Sequence, residues 1–150
     1  MPYWQKGVCA TALAVALLLG PQTAAAEAIG QIKTLAGEVY IVRESMKRPA
    51  QAGDLLEAAD TLMTGPAGRA GVTFIDNSRF SVGPNSQIAL EKFIFNPTTQ
   101  EGAFHTKMER GTLAVVSGNI AHSSPEAMQV KTRTSILGVR GTHFLVKVDE

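Results

Sequence analysis

Ala70-Gly71-Val72-Thr73-Phe74-Ile75-Asp76-Asn77-Ser78-Arg79-Phe80-Ser81-Val82 sets two short apolar alternations around a polar turn. Val72 and Phe74 point to one face, and Phe80 and Val82 fall on a matching face beyond Asp76-Asn77-Ser78. Successive side chains of a strand point to opposite sides, so this pattern predicts a half-buried hairpin. Asp and Asn tolerate the left-handed backbone angles that a tight turn demands.

The same rhythm extends in both directions. Upstream, Gly65-Pro66-Ala67-Gly68 is a turn, because Pro fixes φ and Gly supplies the freedom to reverse. Before it lie the short β-compatible runs Thr61-Leu62-Met63-Thr64 and Asp54-Leu55-Leu56. Val39, Ile41 and Arg43 alternate with Glu38, Tyr40 and Val42 after Gly37, and Ile32 and Leu35 open the pattern. Downstream, Gly83-Pro84-Asn85-Ser86 ends the hairpin, and Ile88, Leu90, Phe93 and Phe95 carry the pattern to Asn96-Pro97. Ala103 to Met108 and Thr112 to Val116 read as a strand pair joined at Glu109-Arg110-Gly111. Ser117 to Glu126 has no clear period. Val130, Thr132 and then Thr134 to Val148 supply the last strands, interrupted at Gly138 and Gly141. About ten short strands with turns every 8 to 12 residues predict an all-β domain, a compact antiparallel β-sandwich or β-roll. A helix is expected only locally, around Leu55 to Asp60, and no βαβ alternation announces a parallel nucleotide-binding sheet.

The first residues follow another logic. Lys6 precedes an almost wholly apolar run from Val8 to Leu19, which Gly20-Pro21 breaks. Ala24 and Ala26 place small side chains at the two positions a signal peptidase reads, so cleavage is expected between Ala26 and Glu27. A bilayer span needs about 20 apolar residues, and this run offers about 12. Residues 1–26 are therefore read as a helical, cleaved signal peptide and 27–150 as one exported domain without a stable membrane anchor. Cys9, the only cysteine, lies far from the cut, which argues against a lipid anchor and leaves the mature domain without thiol chemistry.

The chain carries 14 Lys and Arg against 13 Asp and Glu, and loss of Lys6 with the leader balances them. The charges are scattered, with no basic run beyond Met46-Lys47-Arg48, so neither nucleic acid nor an anionic membrane surface is favoured as a partner. His105, His122 and His143 have no close-spaced companion of the kind that marks a zinc site. They read as surface or strand-face histidines; His143 is either exposed or satisfied in the core. No serine sits in a Gly-x-Ser-x-Gly elbow, and Asp54, Asp60 and Asp76 lie at turns, where Asp bonds its own backbone. No enzyme, metal or cofactor is indicated. Arg140, between Gly138 and Gly141, is the one side chain aimed by flanking glycines. It is either a structural arginine bonding carbonyls or a turn carboxylate such as Asp76 or Asp54, or a contact for an anionic ligand or a partner.

Taken together, the chain resembles the FecR domain. The residues that carry the likeness are Gly37-Glu38-Val39 with Arg43, Gly53-Asp54, Asp60-Thr61-Leu62-Met63-Thr64-Gly65 and Arg69-Ala70. They continue with Phe74-Ile75-Asp76-Asn77-Ser78, Pro84-Asn85-Ser86, Arg110-Gly111 and Gly138-Val139-Arg140-Gly141-Thr142. Asn77 stands where the family more often has Gly. The resemblance implies a periplasmic, β-stranded, non-enzymatic domain. Its best-known members are membrane-spanning regulators of iron-siderophore uptake with a cytoplasmic anti-sigma segment. That segment is not expected in this chain, so the anti-sigma role is not carried over. The expectation is an interaction module contacting a protein partner or cell-envelope polymer, with a sensor component of an iron-uptake type signalling system as the alternative.

Overall fold

The computed structural model describes Gly20 and residues 26–124, 126–139 and 143–149. The predicted leader helix, Ala24 of the cleavage site and Arg140-Gly141-Thr142 of the last motif lie outside the described residues. Twelve strands and one short helix follow in chain order. They are β1 (Ala28–Ala36), β2 (Val39–Arg43), β3 (Met46–Pro49), β4 (Leu55–Glu57), β5 (Thr61–Thr64) and β6 (Arg69–Phe74). Next come β7 (Arg79–Val82), β8 (Gln87–Phe95), β9 (Gly102–Val116), α1 (Asn119–Ser123), β10 (Met128–Lys131), β11 (Ile136–Gly138) and β12 (His143–Val148). The domain is all-β, as the alternation predicts.

The hairpin forms as read. Ala70 pairs with Val82 and Val72 with Phe80, and the turn places Asn77 at φ 66°. Val72, Phe74, Phe80 and Val82 are all buried. The strands follow one continuous order, β3-β2-β5-β8-β9-β7-β6-β1-β4, with β10 and β12 also on β9 and β11 on β10. This single path curls into two halves that share β9. Phe74 and Phe80 of one half meet Phe104 of the other at centroid distances of 4.7 and 5.2 Å, so the aromatic core closes the roll.

Two local expectations are corrected. Glu109-Arg110-Gly111 is no hairpin turn: β9 runs unbroken through it. Phe104, Thr106 and Met108 face the core before it, and Leu113 and Val115 after it. The inward phase therefore flips within the strand. A register shift against β8, where Gln87 opposes Arg110 and Ile88 opposes Met108, inserts the extra residue. The bulge turns β9 from one half into the other, and a turn-like composition at a strand bend looks like a hairpin in sequence. The helix also lies elsewhere. Leu55–Glu57 is a strand, while α1 forms in Ser117 to Glu126, burying Ile120 and Ala121. That helix crosses over to make β10 parallel to β9, the one parallel pair among otherwise antiparallel ladders of the described residues. Among the described residues no helix is long and apolar enough to cross a membrane.

Candidate functional site

The motif residues assemble into three buried polar joints. At the first, the Arg43 guanidinium makes a fork to Asp60, Nε to Oδ1 at 2.8 Å and Nη2 to Oδ2 at 2.7 Å, and reaches Glu57 with Nη1 at 2.7 Å. Asp60 is 1% exposed, and its Oδ2 also accepts the Glu57 N–H. The Asp60 hydrogen bond holds the Arg43 pKa above its ordinary value. This joint ties the end of β2 to the β4–β5 turn.

The second joint sits at the β9 bend. Ser86 is fully buried, and its hydroxyl donates to the Gly83 carbonyl at 2.8 Å and accepts the Thr112 N–H at 3.0 Å. The Ser86 N–H donates to Thr64 Oγ1, whose own hydroxyl donates to Gly83. Gly111 adopts φ +99°, and a Cβ there would lie 2.1 Å from Ser86 Oγ. Only glycine lets β9 bend this close to the serine.

The third joint is the hairpin turn. Asp76 is fully buried; its Oδ1 accepts the Ser78 N–H and its Oδ2 the Ser78 hydroxyl, at 3.1 and 2.7 Å. Ser78 Oγ accepts the Gly118 N–H, and the Asp76 carbonyl accepts the Asn119 N–H. A Cβ on Gly118 would stand 2.2 Å from the Asp76 carbonyl oxygen. The turn thus fixes where the crossover into α1 begins. Asp54 is a third turn carboxylate. The Gln51 N–H, together with Arg48 at 2.8 Å, holds its pKa below the usual value.

With these residues committed inward, one surface open to another molecule lies towards the chain's C-terminal end. Gly138 ends β11 in the open, while Val139 turns in, 3% exposed, and donates its N–H to Met128. The motif then runs through residues 140–142 into β12. Among the described residues β12 pairs only with β9 and β11 only with β10, so both are edge strands. Between them lies a groove of about 400 Å³, lined by Thr132, Arg133, Thr134, Ser135, Leu137 and Val146 to Asp149. Ile136 and Leu145, on the same two strands but outside the groove's lining, stand 66% and 67% exposed. Sequence alternation alone could not single out these two, because exposure at an edge depends on which strand pairs with which.

The structure does not bring the histidines together: His105 is on β9, His122 on α1 and His143, exposed, at the start of β12. Among the described residues no three metal-ligating side chains cluster. Both Asp76 carboxylate oxygens are taken by Ser78, and no described geometry gathers a nucleophile and base around them.

No curated protein matches the sequence. A solved structure titled "Cell surface anchoring domain" is 29% identical, covering 41% of this chain and 82% of its own, at a TM-score of 0.39, below what a shared fold requires. The family described as FecR protein matches over residues 60–150, which span the second and third joints, part of the first, and both edge strands. The chain belongs to the FecR family.

Proposed function

We propose that this protein is an exported, non-enzymatic interaction module of the periplasm. In this reading residues 1–26 are a signal peptide removed between Ala26 and Glu27, and the domain contacts a protein partner or cell-envelope polymer through strand edges and loops. The family is one of cell-envelope signalling and regulation, which fits a binding or sensing role. The observation that carries the reading is the open β11–β12 edge. Among the described residues each of these two strands has a partner strand on one side only, and with exposed Ile136 and Leu145 these are the features by which a sheet takes on an extended segment of a partner. Arg140, in the link between those strands, is proposed as a contact of the same surface. Membership of a signalling family also supports the sensor alternative, in which loss of the protein alters transcription of an uptake system.

A photo-crosslinker placed at Leu145 in living cells is expected to trap one discrete envelope partner. Leu145→Glu with Ile136→Glu, both at exposed positions and so folded, should abolish the adduct formed by a crosslinker at neighbouring His143. An adduct of unchanged yield would overturn the edge assignment. Fractionation should recover a periplasmic chain starting at Glu27; a cytoplasmic chain retaining Met1 would overturn export.

A further inference from the structure

Strand register gathers charges that the sequence scatters. On β8, β9 and β10 the even-numbered residues Leu90, Phe104, Thr106, Met128 and Val130 are buried, so the neighbouring positions of β9 and β10 face outward. Register sets Lys107 beside Lys131, and His105 between Lys92 and Gln129. Cross-strand neighbours stand about 5 Å apart and successive outward rows about 7 Å apart. Four permanent cations (Lys92, Lys107, Lys131, Arg133) thus share the face with two carboxylates. Glu109 takes Lys107 at 2.6 Å and Arg133 at 3.8 Å, and Glu91 takes Lys131 at 3.6 Å. Four cations against two carboxylates still leave the face a net charge of +2, spread along two outward rows.

We propose that the outer face of β8–β9–β10 binds a linear anionic polysaccharide, its carboxylates lying along the rows of Lys92, Lys107 and Lys131. The outward positions Ala89, Ala103 and Gln129 add no aromatic ring, so the face lacks the stacking platform that single-stranded nucleic acid uses. The positive field is already felt at His105. Burial, and then Lys92 and Lys131, push its pKa below the ordinary value, against the pull of Glu91. This face is separate from the β11–β12 edge, and the proposal rests on the export reading only for the compartment.

The test is titration of the purified protein with polygalacturonate at low salt, with neutral dextran as control. Saturable binding to the acidic polymer alone is expected, with the His105 imidazole pKa, followed by NMR, moving up as polymer carboxylates offset the lysines. Lys92→Gln with Lys131→Gln should weaken binding at least about tenfold. The same variant should unfold at a urea concentration close to the parent's, since it removes one exposed ion pair together with one like-charge contact. Lys33→Gln with Arg69→Gln, on other strands, should bind as the parent does, and so should Leu145→Glu, which separates this face from the edge. Unchanged affinity in the Lys92/Lys131 variant, or single-stranded DNA binding as tightly as the polymer, would overturn the proposal.

Discussion

Arg43 shows what a single side chain does in this domain. Its fork pairs with a carboxylate, Asp60, that is 1% exposed. Arg43→Ala leaves that charge buried without its partner, and the loss should be about 3 kcal/mol, read as a lower urea midpoint. Asp60→Asn with Arg43→Met, which removes both charges, should recover part of it. His105 gives a pH signature at the same scale. Its folded pKa lies below its unfolded value, so the unfolded chain binds more protons between the two. Stability should therefore rise with pH up to about 6.5, and His105→Gln should flatten that rise. Chemical denaturation across pH 5 to 7 reads both arms. The motif residues Asp60, Asp76 and Ser86 were visible in sequence as turn residues. Their burial was not, because a turn is ordinarily a surface feature. These turns are drawn inward by partners 17 to 40 positions away, such as Arg43 and Gly118, whose proximity depends on the completed fold.

Among the elements, β9 carries the greatest structural demand. Its first part is flanked by β8 and β10 and its second by β7 and β12, and the bulge with Gly111 makes the passage between them. Gly111→Ala forces both a strained φ and a contact with Ser86, so it should cost well over 1 kcal/mol. Gly53→Ala, at φ +95° with open space around it, isolates the backbone part and should cost less; paired thermal melts give the comparison. Hairpin β6–β7 was fully legible because its pattern is local: two strands, one turn, one buried face. The bend in β9 was not. An inward phase that flips across a Gly-containing segment has the same sequence as two strands and a turn, and only pairing with β8 distinguishes them. α1 escaped for a related reason: five residues are too few to show a helical period.

For the whole molecule, the shared strand predicts a gradient of rigidity. Amides of β9, hydrogen-bonded on both sides, should exchange most slowly. Those of β3, whose four residues are all exposed on an edge containing Lys47 and Pro49, should exchange quickly, as hydrogen exchange by mass spectrometry can show. Charge was the least legible property at this scale. Lys92, Lys107 and Lys131 are far apart in sequence and brought together only through register, so composition reports a chain of net charge +1 where the folded surface carries a basic face. The β9 arrangement also has a temporal side. A chain delivered from its N-terminus presents β7 and β8 before β9, and β10 and β12 after it. For the time that residues 117–148 take to arrive, the most central strand of the finished domain is itself an edge, apolar and ready to pair with whatever is near. The period of greatest risk of misassembly therefore falls late, and it ends when the segment bearing the family's last motif docks.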